Sequence, residues 1–412
     1  MALKIVKKKN PKEIIPKKIA IITILGTINS DKALYTKEKT LKLDIKDGEY
    51  KNMFPLLYDS FKNVKEATLI PIYTKKAIEI QKSVLPSVDI KENGYEIDEE
   101  KFDEIFNTIN SILSDNSFTD FIVDISHGFR HLPILATVSM IISNFQDSSK
   151  VKNILFTKEI DKFKHYEIID LKDYLEIANI SFVLNTFDDN YTVAHHINSQ
   201  KYSSLIKSLN NFSNDIMALN LSNLHNISLL TLIKELEKIE DISIKYMAEQ
   251  LKQNLLEDFS YEDKMYLTFY KISKNLFEKN YILLSLSLLY ESIRIYIKTI
   301  IKKNEKAVVL KIEEFYKNDL YKLGDFFKKL YKRDYYYLSE KEKSTISKFE
   351  YEKLQLAYKR NITTPSLIKD IEHTRNDLSH ANSKEKFEQI KQKVSTLIER
   401  YNTSYNLNIL LN

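Results

Sequence analysis

The chain has 412 residues, 43% of them hydrophobic, with 62 basic and 57 acidic side chains and a net charge of +5. That length can hold two or three separate cores, and the near balance of charge permits a nucleic-acid partner without arguing for one. The absence of cysteine excludes disulfides, thiolate zinc sites and cysteine nucleophiles.

At the N-terminus, Lys4 to Lys18 is lysine-rich, but only the short apolar run Ile19–Leu25 follows, so no secretory signal pattern is read. The longest later apolar stretch, Tyr281–Tyr290, is broken by Glu291 and Arg294 too soon to span a bilayer. No membrane partner and a cytoplasmic location are expected. Four of the five glycines and six of the seven prolines lie before residue 134, and only Gly324 interrupts the stretch from Leu135 to Thr364. Turns therefore belong to the first part, and the second is expected to be mostly helix.

In chain order, Ile19–Leu25, Thr68–Tyr73, Phe121–Ser126 and Ile154–Thr157 read as apolar β-strands. Helical patterns near Tyr50–Phe61, Ala77–Val84, Glu99–Leu113 and Leu132–Phe145 alternate with them. Apolar strands alternating with helices predict a Rossmann-like α/β domain with a parallel sheet covered on both faces. A further strand, Tyr166–Leu171, and a helix from Lys172 close it. From about Asn190 the period becomes helical, with one stripe at Leu229, Leu232, Ile233, Leu236 and Ile239 and another at Leu283, Leu286, Leu289, Ile293 and Ile297. Thr364 is placed to cap a helix with Pro365 at its first position, and Ser383 to cap the next. The expected fold is α/β followed by all-α: a domain over 1–185, a helical connection over 186–245 and a helical domain over 246–412.

Only six of the 62 basic residues are arginine: Arg130, Arg294, Arg333, Arg360, Arg375 and Arg400. Against so many lysines, each is a candidate for what lysine cannot do, such as planar bidentate binding of phosphate.

Gly26-Thr27-Ile28-Asn29 follows the first strand, and Ser126-His127-Gly128-Phe129-Arg130 follows the Phe121 strand. In an open parallel sheet, ligands bind at the carboxyl ends of strands, where helix N-termini favour anions and glycine permits close approach. Both glycines could instead serve only tight turns, but two such loops, one with a scarce arginine, favour an anion site. Neither G-x-G-x-x-G nor G-x-x-x-x-G-K-[ST] occurs, so an ordinary dinucleotide or triphosphate is not indicated. His127 and His131 have i, i+4 spacing but lie at a loop-to-helix junction without an evident third ligand, so no metal site is expected. The adjacent His195 and His196 read as packing or surface residues.

Near the C-terminus stands Glu372-His-Thr-Arg375-Asn376-Asp-Leu-Ser-His380-Ala381. Random placement of eight histidines and six arginines gives roughly 0.1 occurrences of Arg-x-x-x-x-His in the chain. The residue types suit RNA cleavage: His380 can move protons near neutral pH, Arg375 can hold a phosphate, and Asn376 can orient either. An adjacent 2′-hydroxyl supplies the nucleophile, so no metal is required. Arg375 and His380 stand about 140° apart around a helix, which suits a cleft shared by two chains better than one helix alone. On residue chemistry alone, an equally good reading is a solvated helix end, with Arg375 paired to Glu372 or Asp377 and His380 neutralising terminal carbonyls.

Asp124-Ile-Ser-His-Gly-Phe-Arg-His-Leu-Pro133 resembles the signature of CRISPR-associated Rossmann-fold (CARF) domains, and Arg375-Asn-x-x-x-His380 resembles the active-site motif of HEPN ribonucleases. CARF followed by HEPN is the arrangement of the ancillary ribonucleases of type III CRISPR systems. The resemblance implies a homodimer, or a larger oligomer, that binds cyclic oligoadenylate and cleaves single-stranded RNA without metal at a composite site. By position it makes Gly26, Thr27, Asn29, Ser126, His127, Gly128 and Arg130 ligand-binding, with Thr74 and Lys75 as weaker candidates. Arg375, Asn376 and His380 become catalytic. Glu291 matches an acidic position of an earlier HEPN helix, where a structural role is expected. Ser126 stands where the family often has Thr, and keeps the hydroxyl. Tetra-adenylate is the expected ring and hexa-adenylate the alternative; no cofactor is implied. Two other readings are a ring nuclease, in which the CARF loops cut the activator itself, and a non-enzymatic sensor that binds nucleic acid or protein.

Overall fold

The computed structural model describes residues 18–27, 31–128, 130–194, 197–260, 264–330, 334–362 and 365–404. Ile28, Asn29, Phe129, His195, His196, Arg333 and Thr364, named above, lie outside these.

The first part begins with β1 (Ile19–Ile24), β2 (Ala33–Lys37) and β3 (Gly48–Tyr50), then α1 (Met53–Phe61), β4 (Ala67–Tyr73), α2 (Lys75–Val84) and β5 (Tyr95–Glu96). It continues through α3 (Phe102–Leu113), β6 (Asp120–Asp124), α4 (His131–Gln146), β7 (Val151–Asp161), β8 (His165–Asp170) and α5 (Lys172–Asn190). One eight-stranded sheet runs in the order β3-β2-β8-β7-β6-β1-β4-β5. β1 lies between β4 and β6, parallel to both, with Ile19 opposite Ala67 and Asp120.

The sheet is mixed rather than purely parallel, because β2–β3 and β7–β8 pair antiparallel. β7 and β8 form a hairpin whose polar half, Lys158–Asp161, earns its strand geometry from pairing and not from apolar character. Both faces are nonetheless covered. Ala20, Ile22 and Ile24 join Ile105, Ile109 and Met140 of α3 and α4, while Ile21 joins Tyr35 and Leu56 and Leu57 of α1. Each such side chain contributes about 1.5–3 kcal/mol on leaving water.

The remainder is helical: α6 (Ser203–Met217), α7 (Leu221–Asn223), α8 (Leu229–Glu237), α9 (Ile242–Phe259), α10 (Met265–Glu278) and α11 (Ile282–Asn304). After them come α12 (Lys306–Phe315), α13 (Leu320–Lys329), α14 (Glu340–Thr345), α15 (Lys348–Asn361), α16 (Pro365–Ser379) and α17 (Phe387–Ser404). Contacts divide the chain into two units. The first runs to Phe187 and includes Thr192–Asn210 and Ile239–Met247; the second takes Asp188–Tyr191, Asn211–Lys238 and everything from Ala248. The stretch expected to connect domains, 186–245, thus gives residues to both.

Within the second unit, α11 is the central helix, burying Leu286, Leu289, Ile293 and Ile297 as its period requires. Leu283, expected on that stripe, is exposed, and Ile282 faces the core in its place. α14 and α15 each start with a capping box, Ser339 with Glu342 and Ser347 with Glu350. Ser383 does not cap α17, which starts four residues later at Phe387; the Ser383 hydroxyl accepts from Glu385 N within the preceding turn. Among the described residues no helix is long and apolar enough to cross a membrane.

Candidate functional site

The first unit gathers its candidate residues where β1, β4 and β6 end. A Cβ placed on Gly26 would lie 3.3 Å from His127 Cβ and 3.5 Å from Gly128 N, so the two loops touch. Gly128 has φ +102, and a Cβ there would meet Ile24 Cγ2 at 2.6 Å; glycine is required on both counts. Beneath the second loop, the buried Asp124 accepts from Thr23 Oγ1 at 2.7 Å and from Ser126 N at 3.0 Å. These bonds fix the chain direction as it leaves β6.

A chain of amides links the loops to the body of α2 and the N-terminus of α1. Gln81 Nε2 of α2 donates to Gly26 O at 2.9 Å, and Asn52 Nδ2 donates to Gln81 Oε1 at 3.0 Å. Asn52 also caps α1, accepting from Phe54 N, and the neighbouring Met53 N donates to His127 Nε2 at 3.2 Å. His127 is thereby a neutral imidazole that carries its proton on Nδ1. Removal from water holds its pKa below the ordinary 6.5, against the opposing pull of Asp124. Asn52 and Gln81 did not stand out in the sequence, because polar residues in helical patterns normally face solvent. Here Gln81 is only 1% exposed.

Ser126 Oγ is buried and makes no hydrogen bond. A buried hydroxyl without a partner costs about 1–3 kcal/mol, the kind of deficit that a bound ligand can make good. Thr27 is half-buried on the first loop, while Arg130 is exposed beside the second. Thr74 is buried as the cap of α2, its hydroxyl accepting from Ala77 N, and Lys75 is exposed. Both line a separate groove with Glu96, Asp98, Glu99 and Glu104, whose carboxylates suit a polyanion poorly. His131 does not join His127 in a pair: its ring lies edge-on to Phe102 at 4.9 Å.

In the second unit, α16 carries the other candidates. Arg375 Nη2 and Nε donate to Asn376 Oδ1 at 2.7 and 3.2 Å, and its guanidinium lies 4.7 Å from the ring centre of Tyr290 on α11. Arg375 thus makes no direct hydrogen bond to Glu372 or Asp377, although its charge still helps to hold the Glu372 carboxyl ionised. Glu372 instead accepts from Lys328 Nζ at 2.6 Å and from Tyr290 OH at 3.1 Å. Burial alone would raise the Glu372 pKa, but Lys328 and Tyr290 outweigh it and hold the carboxyl below its usual range. Arg294, 2% exposed, also lies near the Tyr290 ring, with Nη1 on Glu291 Oε1 at 2.7 Å and Nη2 on the Tyr321 carbonyl. The only glycine of the helical half explains itself here: a Cβ on Gly324 would lie 2.4 Å from Arg294 Nε.

His380 is exposed and forms the C-cap of α16. Ala381 takes the left-handed conformation (φ +53), Asn382 N donates to Asp377 O, and Ala381 N donates to Leu378 O. This Schellman ending occupies the Asp377 and Leu378 carbonyls from the backbone, so the His380 imidazole is not needed for those two. The structure therefore brings Arg375 and Asn376 together and sets His380 at the helix end. Tyr290, Lys328 and Glu372, which hold Arg375 and its surroundings, come from three helices and share no local sequence signal. Among the described residues no three His, Asp or Glu side chains group as metal ligands. No protein-family model matches the chain, and no curated protein matches it.

Proposed function

We propose that the chain is a metal-independent RNA endonuclease of type III CRISPR antiviral defence, switched on by a cyclic oligoadenylate bound at the loops after β1 and β6. The observation that carries the reading is the end of α16, where Asn376 presents the Arg375 guanidinium while His380 stands exposed, its imidazole not needed for the Asp377 and Leu378 carbonyls. In the reaction, the RNA 2′-oxygen attacks the adjacent phosphorus and loses its proton. The 5′-oxygen leaves and takes one up, giving a 2′,3′-cyclic phosphate and a 5′-hydroxyl. His380 moves a proton in this exchange, and Arg375 balances the charge that grows on the phosphoryl oxygens.

Support for the ligand comes from the unpartnered Ser126 hydroxyl, the Nδ1–H of His127 and the touching loops at Gly26 and Gly128. These groups offer hydrogen bonds to a phosphodiester ring, with the nearby Asp124 carboxylate already occupied by Thr23 and Ser126 N. Homodimerisation accords with the exposed apolar stripe Ile134, Val138 and Ile142, on the helix that directly follows the second loop. A second copy would also supply the composite cleft that Arg375 and His380 call for, being separated around α16.

The test is degradation of labelled single-stranded RNA in EDTA with a panel of cyclic tri-, tetra- and hexa-adenylate. Cleavage with one ring, strongest for tetra-adenylate, and loss of it in His380→Ala is expected. Activity that survives in His380→Ala, or no cleavage with any ring, overturns the proposal.

A further inference from the structure

Residues 321–360 differ from the rest of the chain. Ten of them are Tyr or Phe, about a quarter, where Phe and Tyr together make 11% of the whole. Eleven Lys and Arg against six Asp and Glu give this stretch a net +5, equal to that of all 412 residues. A helical segment of this kind normally turns its rings inward, and Phe326, Phe327, Tyr351 and Tyr358 do so. Four others do not: Tyr321, Tyr336, Tyr337 and Phe349 are 70, 71, 72 and 66% exposed. Lysines accompany them. Lys348 Nζ lies 5.3 Å from the Tyr336 ring centre, and Lys353 Nζ lies 4.6 Å from that of Phe349.

Tyr321 and Lys322 of α13 line a groove with Leu338, the residue after Tyr337, and with Lys329, Asp325 and Glu342; Tyr336, Phe349, Lys348 and Lys353 lie outside its lining. From Tyr321 inward, rings and guanidinium groups alternate. Arg294 lies 4.9 Å from Tyr321 and 5.1 Å from Tyr290, whose other contact is Arg375 at 4.7 Å. An exposed ring is therefore linked by two stacked partners to the arginine assigned to phosphate.

The geometry points to a single-stranded RNA platform on α13–α15, with bases stacking on Tyr321, Tyr336, Tyr337 and Phe349 and phosphates held by Lys348 and Lys353. It rests on the ribonuclease reading for its role in delivering substrate toward Arg375. Exposed rings suit unpaired bases because every base offers a face, and duplexes hide theirs. The interleaved lysines give charge complementarity to the backbone and exclude an apolar protein surface as the better occupant.

The test is fluorescence anisotropy of a labelled single-stranded oligo-uridylate on the full chain without activator, so that binding is read apart from cleavage. Tyr336→Ala with Phe349→Ala is expected to weaken binding about ten-fold for each ring removed. Tyr336→Phe with Phe349→Tyr should restore it, and Lys348→Ala with Lys353→Ala should flatten the salt dependence. Thermal midpoints should be unchanged, since all four side chains are exposed. Unaltered affinity in the alanine pair, equal loss in the ring-preserving pair, or equal affinity for a blunt RNA duplex overturns the platform. Cleavage that persists in His380→Ala sinks the ribonuclease reading alone, because ring-dependent binding is measured without it.

Discussion

The two candidate regions handle charge in opposite ways. At the carboxyl ends of β1 and β6 a single buried carboxylate, Asp124, sits among uncharged groups: the amides of Asn52 and Gln81, the Ser126 hydroxyl and the His127 imidazole, whose burial disfavours its charged form. Around Tyr290, two arginines and a lysine approach one ring, Glu372 accepts from its hydroxyl, and Glu291 pairs with Arg294. A cradle whose one carboxylate is buried and hydrogen-bonded is little affected by ionic strength, while a cluster of several charges responds to salt and to any anion that competes for it. The first arrangement suits recognition of one defined ligand, and the second suits a phosphate passing through.

The largest expected effect lies at the charged region. His380→Ala should lower activator-dependent RNA cleavage by at least about 100-fold, with the thermal midpoint unchanged because the side chain is exposed; an unchanged cleavage rate removes His380 from the chemistry. Next come the two glycines, which compare the regions by stability. Gly128→Ala meets both a positive φ and Ile24, and is expected to cost about 2–4 kcal/mol in urea unfolding. Gly324→Ala meets a single side chain, the Arg294 guanidinium, and should cost about 1–3 kcal/mol. The reverse order would mean that the cradle is the softer of the two.

A smaller effect is expected from Glu372→Gln, which weakens the half-buried pair with Lys328 by about 1 kcal/mol. A double-mutant cycle with Lys328→Met should show that the two positions couple; additivity would show that they act independently. The smallest concerns pH. The folded His127 resists protonation, whereas the unfolded chain binds a proton near pH 6.5, so its contribution is complete above that value and lost as pH falls through the lowered folded pKa. Thermal midpoints of His127→Gln should therefore fall less steeply below pH 6.5 than those of the native chain, and parallel curves would place the imidazole in water.

Much of the fold was legible because it depends on local pattern. The strands at Ile19, Thr68 and Phe121 are continuous apolar runs, as strands buried on both faces must be. β2 was not legible: Ala33–Lys37 alternates only weakly, and its partner β8 is far along the chain, starting at His165. The β7–β8 hairpin escaped for a related reason, since its turn at Lys162–Lys164 uses Phe163 in a left-handed conformation where glycine or asparagine would have signalled it. For the sites, scarcity of arginine drew attention to Arg375, but the same signal at Arg294 marks a buried packing element. The asparagine after Arg375 was expected to orient an imidazole or a phosphate; its Oδ1 accepts from the Arg375 guanidinium. Neighbours from other helices, Tyr290 and Lys328, leave no trace at that position in the sequence.

Ala381 belongs to a wider pattern. α6, α10, α12 and α16 all close with the same pair of backbone bonds, and the left-handed residue is Leu219, Asn280, Lys317 or Ala381, never glycine. Each side chain other than asparagine held there costs roughly 1 kcal/mol relative to glycine. A chain with five glycines in 412 residues has spent almost none of them on ending helices. Its helical half therefore carries a distributed reserve of untapped stability at Leu219 and Lys317, positions that a thermostabilising engineer could change away from the candidate site at Arg375 and His380.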